Sequence, residues 1–281
     1  MPTKPYAGTQ SVRRAMSLLK VFSDERPEWG LTEIAREARL NKTTAYRLLT
    51  ALEAEGMVAR GPVTEAWRLG PEAITLGALA LRSNDLMAAA RHELEALVRE
   101  TGEAASLEVL VGDQVVILDG VEGPSVVGAS PEVGTRWPAH ATSTGKVLLA
   151  AERAGLGKRP GGRVGSLPRR LRRLTPRTIT DPGRLDRELE RVLDRGWATA
   201  IEELEVGYVA VGAPVRDHDL RVLAAISVGG PASRLSGDRI PVLARRVVRT
   251  ADRVSRRLGG RGGFLDQEGR AVSTASTAGT R

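Results

Sequence analysis

The stretch LTEIAREARLNKTTAYRLLTALEAEGMV, Leu31 to Val58, has two readings. It is a plain pair of amphipathic helices, or a helix-turn-helix that sets NKTTAYR, residues 41–47, into a DNA groove. In its second half Ala45, Leu48, Leu49 and Leu52 recur at i, i+3, i+4 and i+7, which makes one apolar helical face. Lys42, Thr43, Thr44, Tyr46 and Arg47 crowd the opposite side of the first turns. Hydroxyls, Arg and Tyr at that end suit a helix whose N-terminal residues meet base edges. Asn41 is a favourable N-cap and Gly56 a favourable stop, so the helix is expected from Lys42 to about Glu55. Leu31, Ile34, Ala35 and Leu40 predict a shorter helix packed against it, ending near Arg39, with Thr32 as its expected N-cap.

Working outward, Val12, Ala15, Met16, Leu18, Leu19 and Phe22 predict a first helix from about Gln10 to Ser23, broken by DERPEWG. After Gly56, MVAR and AWRL read as a β-hairpin around the polar tip GPVTE. It lies where a wing would lie, with Arg60 and Arg68 able to reach phosphates. A helix on one side and a wing on the other favour the DNA-reading interpretation over a chance polar face.

From Pro71 to about Leu81 an Ala/Leu-rich helix is expected, then another from Asp85 to Thr101. Beyond Gly102, ASLEVLVGDQVVILDGVEG is two strands joined at Gly112-Asp113, and SVVGAS a third. TSTGKVLLAA and Arg184 to Arg195 read as helices, VAVGAPVRD and LRVLAAISVGG as a strand pair, and PVLARRVVRTADRVSRRL as a last amphipathic helix. Antiparallel strands with flanking helices give an α+β class. The expected organisation is a disordered 1–9, a winged helix-turn-helix over 10–70, a linker helix over 71–84, a second domain over 85–258 and a disordered tail over 259–281.

Bulk composition narrows the function. Lys and Arg number 42 against 34 Asp and Glu, a formal charge of +8 that favours acidic partners such as nucleic acid. The excess is concentrated in KRPGGRVGSLPRRLRRLTPR and RRVVRTADRVSRRLGGR, so charge alone does not single out the N-terminal segment. The chain is 41% hydrophobic but only 3% aromatic, so its cores are built from Ala, Val, Leu and Ile. Cysteine is absent, which excludes disulfides and Cys-based zinc or redox motifs. MPTKPYAGTQ has no apolar signal core, and no run approaches the roughly 18 apolar residues of a membrane span. A soluble cytoplasmic protein without metal or cofactor is expected.

HATSTGKV resembles two catalytic patterns. A P-loop would need Gly at His140 and Ser or Thr at Val147, so that reading fails. Ser143-Thr144-Gly145-Lys146 fits S-x-x-K of Ser–Lys hydrolases, but no K-T-G or S-D-N element follows. If Ser143 and Thr144 open a helix, their backbone N–H groups could instead receive an anion. Glu202 and Glu203 are adjacent and, on a strand, would point to opposite faces. His92 and His218 have no companion ligand at metal spacing, and His140 suits a structural hydrogen bond.

SVRRAMSLLKVF, the opening stretch and WRLGPEAITLG together resemble the winged helix-turn-helix of the IclR family of bacterial transcription regulators. PAHATSTGKVLLA, RLTPRTITD, RGWATAIEELEVGYVAVGAPVRD and AAISVGGPASRL resemble that family's effector-binding domain in the same order, the likeness running over about residues 10–258. It implies a dimeric or tetrameric regulator whose C-terminal GAF-like domain binds a small molecule and alters binding to double-stranded DNA. A sensor acting through protein partners is the other non-enzymatic alternative.

Relatives of this kind hold polar pocket anchors where this chain has Ala200, Ala210, Ser227 and Gly229. Trp137 stands where they hold a smaller aliphatic residue. Val126 and Ala129 fall on the strand facing the same cavity, and Glu202 is a further candidate lining residue. The resemblance thus implies a mostly apolar, aromatic-walled pocket with an anion-accepting floor at Ser143, Thr144 and Ser227. The expected effector is an aromatic or branched acid.

Overall fold

The computed structural model of the protein describes residues 9–23, 25–61, 64–82, 85–124, 131–157 and 170–260. The expected strand SVVGAS, with Val126 and Ala129, lies outside them, as do the expected disordered segment over 1–8 and the tail from 261. The chain divides into two compact units, residues 1–83 and 84–281.

The first unit holds α1 (Thr9–Leu19), α2 (Leu31–Glu37), α3 (Lys42–Ala54), β1 (Val58–Arg60), β2 (Trp67–Leu69) and α4 (Pro71–Arg82). Leu18, Ile34, Ala35, Ala45, Leu49, Val58 and Trp67 close its core. Asn41 caps α3 as expected, its side chain accepting from the Thr44 N–H at 2.7 Å. Gly56 follows α3 with φ 68°.

Two expectations change here. The first helix stops at Leu19 instead of Ser23, because the chain turns back and Ser23 and Arg26 exchange backbone hydrogen bonds. The N-cap of α2 is Gly30, extended at ψ 150°, while Thr32 already lies within the first turn. Trp29, read from sequence only as part of a break, joins the hairpin. Its N–H donates to the Trp67 carbonyl at 2.9 Å and its carbonyl accepts from the Trp67 N–H at 2.8 Å.

The second unit contains α5 (Asp85–Thr101), β3 (Ala104–Val111), β4 (Gln114–Val121), β5 (Arg136–Pro138), a 3-10 turn at Ala139–Ala141 and α6 (Ser143–Arg153). It continues with α7 (Pro182–Arg195), β6 (Ala198–Ile201), β7 (Tyr208–Arg216), β8 (Val222–Pro231) and α8 (Arg239–Arg257). The strands form one antiparallel sheet in the order β5-β4-β3-β8-β7-β6. Helices α5 and α8 cover one face and α6 and α7 the other, so both faces are buried.

The period-2 alternation of strands sorts the residues. Leu107, Val209, Val211, Ile226 and Val228 pack under α5 and α8. Ser106, Glu108, Ala210, Ser227 and Gly229 take the other face. Arg253 and Arg257 of α8 clasp Glu93 of α5 at 2.5 and 2.8 Å, fixing the two helices to each other. The short strands β5 and β6 had no clear sequence signal, being three and four residues long. Residues 170–173 of the RRLRR run are not helical; Leu171 is buried there while Arg172 and Arg173 are exposed.

Candidate functional site

In the first unit Lys42, Thr43, Tyr46 and Arg47 are exposed on the first turns of α3 and Thr44 is half-buried. Ala45 and Leu49 on the opposite side are buried in the core. The surface is therefore continuous, cationic and hydroxyl-bearing, held on a rigid helix. Arg68 is exposed on β2.

Arg60 is more tightly held than its sequence position suggested. Its guanidinium donates to Glu65 at 2.9 Å and lies 3.5 Å from Glu53. It also stacks 4.6 Å from the centre of the Trp67 ring and 6.0 Å from that of Tyr46. A phosphate reaching Arg60 must compete with two carboxylates.

In the second unit a cavity opens where two rungs of the sheet carry small residues. One rung runs Ser106–Ser227–Gly212 across β3, β8 and β7. The next runs Ala104–Gly229–Ala210–Ala200 across β3, β8, β7 and β6. The N-terminus of α6 stands over them. A Cβ on Gly212 would lie 2.9 Å from the Thr144 nitrogen, so only glycine lets the helix seat this closely. Trp137, Pro131, Leu204 and Tyr208 close the sides. The open space is about 20 Å³, water-sized, so a larger occupant must push a wall aside.

The expected lining residues Trp137, Ser143, Thr144, Ala200, Ala210 and Ser227 converge on this cavity. Glu202 does not. It sits past the end of β6 at φ 53°, and its carboxylate accepts from the Gly207 N–H at 2.9 Å and pairs with Arg177 at 3.1 Å. Neither Glu202 nor Glu203 is on a strand, so the opposite-face argument does not apply to them.

The sequence reading missed Ser106, Glu108 and Tyr208. Glu108 is 2% exposed and collects the hydroxyls around it. Thr144 donates to its Oε2 at 2.5 Å and Ser106 to its Oε1 at 2.7 Å. Ser227 lies 2.9 Å from Ser106 and 3.5 Å from the same Oε1. Burial pushes the Glu108 carboxyl above its ordinary range, and the three hydroxyls pull it back only in part. The expected anion-accepting floor therefore surrounds an acid of the protein's own.

Tyr208 explains the missing polar group at Gly229. A Cβ there would lie within contact distance of the Tyr208 hydroxyl, so the ring occupies the space a serine side chain would fill. Burial, with Glu108 nearby, raises the Tyr208 phenol well above its usual value. The pocket is more polar than the sequence implied, because its polarity moved to β3 and to the start of β7.

The S-x-x-K pattern proves structural. The ammonium of Lys146, 1% exposed, is held by Glu203 at 2.5 Å and by the Thr199 carbonyl at 3.0 Å. An ammonium bonded to a carboxylate and a carbonyl is a poor base for Ser143. His140 is buried with Nε2 2.9 Å from the Arg172 carbonyl, the structural bond expected of it. Thr142 caps α6 by accepting from the Gly145 N–H at 3.0 Å.

Comparison with known proteins bears on both units. The profile of the bacterial transcriptional regulator IclR C-terminal domain matches residues 78–256, and that of the IclR helix-turn-helix domain matches residues 11–62. The chain belongs to the IclR family. It is 34% identical to the HTH-type transcriptional regulator BhcR of Paracoccus denitrificans, over 88% of this chain and 87% of that one. It is 34% identical to the glycerol operon regulatory protein of Streptomyces griseus, over 89% and 96%. The crystal structure of an IclR transcriptional regulator from Alicyclobacillus acidocaldarius superposes with a TM-score of 0.72 at 30% identity, covering 89% of this chain and 99% of that one. An IclR homologue from Microbacterium hydrocarbonoxydans, solved with 4-hydroxybenzoate, gives 0.69 at 26% identity, covering 89% and 99%. IclR-family proteins are DNA-binding transcription regulators with an effector-binding domain. They are not enzymes, in agreement with the burial of Lys146. Among the described residues no helix is long and apolar enough to cross a membrane.

Proposed function

We propose that this IclR-family regulator binds a pseudo-palindromic operator as a homo-oligomer in the cytoplasm, and that a small molecule in the cavity under α6 alters that binding. The observation that carries the reading is the cationic, hydroxyl-rich face of α3 opposite a closed core. Lys42, Thr43, Thr44, Tyr46 and Arg47 would enter the major groove, and Arg68 would hold a phosphate, joined by Arg60 if it leaves Glu65. Self-association is supported by apolar side chains left open on two helices of the first unit. Val12 and Met16 on α1 are 64% and 47% exposed, and Ile74 on α4 is 73% exposed. Two-fold pairing sets half-sites about one helical turn apart or a multiple of it.

Selection from random duplex DNA at two salt concentrations tests this. A two-fold-symmetric motif should enrich. Binding without enrichment, fading steeply with salt, would reduce the protein to a basic surface. Arg47→Ala should cost about 1–3 kcal/mol and relax one base position. An equal loss on every sequence would make Arg47 a phosphate contact instead.

The effector is proposed to have a compact aromatic or branched body lying against Trp137 and the alanines of the second rung. The Microbacterium relative's aromatic ligand supports that class. The hydroxyls of Thr144 and Ser106 are turned to Glu108, so a carboxylate on such a ligand would not find its donors among them.

A further inference from the structure

The cavity has an acid in its wall and, among the described residues, no Lys, Arg or His beside it. Lys146 sits behind the wall, already bonded to Glu203. A hydroxyl has one hydrogen to donate and two lone pairs to accept with. Thr144 and Ser106 give theirs to Glu108, and Ser227 directs its own to Ser106 or Glu108. With Glu108 ionised, what this cluster offers an incoming molecule is therefore acceptors. The Tyr208 hydroxyl, across the cavity at Gly229, can take either role.

An anionic end placed here would meet Glu108 with no side-chain cation to offset it. A buried charge needs a partner, and a buried acceptor needs a donor. A group that brings hydrogens satisfies both needs at once. It completes the lone pairs of Ser106, Ser227 and Thr144 and gives an ionised Glu108 a partner; a neutral Glu108 brings a hydrogen of its own, which the oxygen of a hydroxyl can accept.

We infer that Glu108 is a specificity-determining residue: it selects an effector whose polar end donates hydrogen bonds, a hydroxyl or an ammonium, over one that ends there in a carboxylate. This rests on the reading that the cavity under α6 is the effector site, and it narrows what fits. A phenol or alcohol suits a protonated Glu108. An ammonium suits an ionised one.

The test uses the full-length protein and three probes that share a phenyl ring and differ in the polar end: benzyl alcohol, benzylamine and benzoate. Affinity is measured by titration calorimetry at pH 7. At least one of the two donor probes should bind ten times or more tighter than benzoate. In Glu108→Gln, which keeps the shape and removes the charge, that preference should shrink at least tenfold. Loss confined to benzylamine identifies ammonium recognition. A preference that shrinks through a gain by benzoate, with benzyl alcohol retained, identifies hydroxyl recognition.

Benzoate binding as tightly as both donor probes overturns the inference. So does a preference unchanged in Glu108→Gln, or no binding by either donor probe. The order in the unsubstituted protein is decisive even if the variant fails to fold. DNA selection is scored separately, so the probe order can stand while the regulator reading fails, and the reverse.

Discussion

Two buried carboxylates lie on either side of the wall formed by α6, and their surroundings differ. Glu203 has an ammonium, that of Lys146, at 2.5 Å. Glu108 has only hydroxyls. Burial raises the proton affinity of both acids, but only Glu203 has a charge acting in the opposite sense. Glu203 therefore has its counter-charge within the protein and fastens α6 to the segment after β6, although its second oxygen, Oε2, is buried without a hydrogen-bond partner. Glu108 is held in place but not neutralised, and it faces a cavity. One acid belongs to the scaffold; the other, on the function proposed above, belongs to the recognition surface.

The largest effect should come from breaking the first arrangement. Lys146→Met leaves Glu203 buried without a counter-charge and should lower unfolding free energy by about 3–5 kcal/mol. Adding Glu203→Gln to it should recover much of the loss, because no buried charge is then left unpaired. Urea denaturation of the single and double variants measures both. A single variant within 1 kcal/mol of the parent protein, with the 1 set as the threshold for no effect, would mean that water already reaches Glu203.

A smaller effect is expected at the second acid. Thr144→Val preserves size and removes the 2.5 Å hydrogen bond to Glu108, which should cost about 1–2 kcal/mol in the same assay. Because α6 keeps its cap at Thr142, the loss reports on the Glu108 cluster and not on the helix end. A cost as large as that of Lys146→Met would erase the distinction between scaffold and recognition acid.

The two units were not equally legible in the sequence. The α3 surface could be read because everything it needs lies within one helix: the apolar stripe at Ala45 and Leu49, the cap at Asn41, the stop at Gly56. Local periodicity carries such information. The cavity depends on register instead. Ser106 meets Ser227 across 121 residues, and no local pattern states that pairing. In SLEVLV, Ser106 and Glu108 alternate with Leu107 and Val109 like the wet face of a half-exposed strand. Only helices on both sides of the sheet turn that face into an interior.

Some of the missed residues had a signal nonetheless. A sheet flanked by helices before and after its strands has no wet face, so two polar residues two apart on β3 called for partners. Tyr208 was less accessible, since its significance appears only once its hydroxyl is seen above Gly229. The loss of a polar side chain at one position and the arrival of a phenol 21 residues earlier are a single exchange of volume, and sequence spacing does not reveal it.

The comparison is sharpened most finely by pH. Burial holds the Glu108 proton to a higher pH than the ordinary value of 4.5 that the unfolded chain shows. Folding therefore takes up a proton at this residue in the window between the two values. Stability from the group is fully present below the unfolded pKa and is lost as pH rises through the folded one. Glu108→Gln removes that dependence, whereas Glu203 and Asp252, whose carboxyls burial also raises, are common to both proteins and cancel in the difference. The unfolding free energy of the parent minus that of the variant should fall steadily from pH 5 upward and then level off. A flat or rising difference would mean that the hydroxyls of Thr144, Ser106 and Ser227 hold Glu108 ionised. The cluster would then stabilise the charge of its acid without the ammonium that Glu203 has.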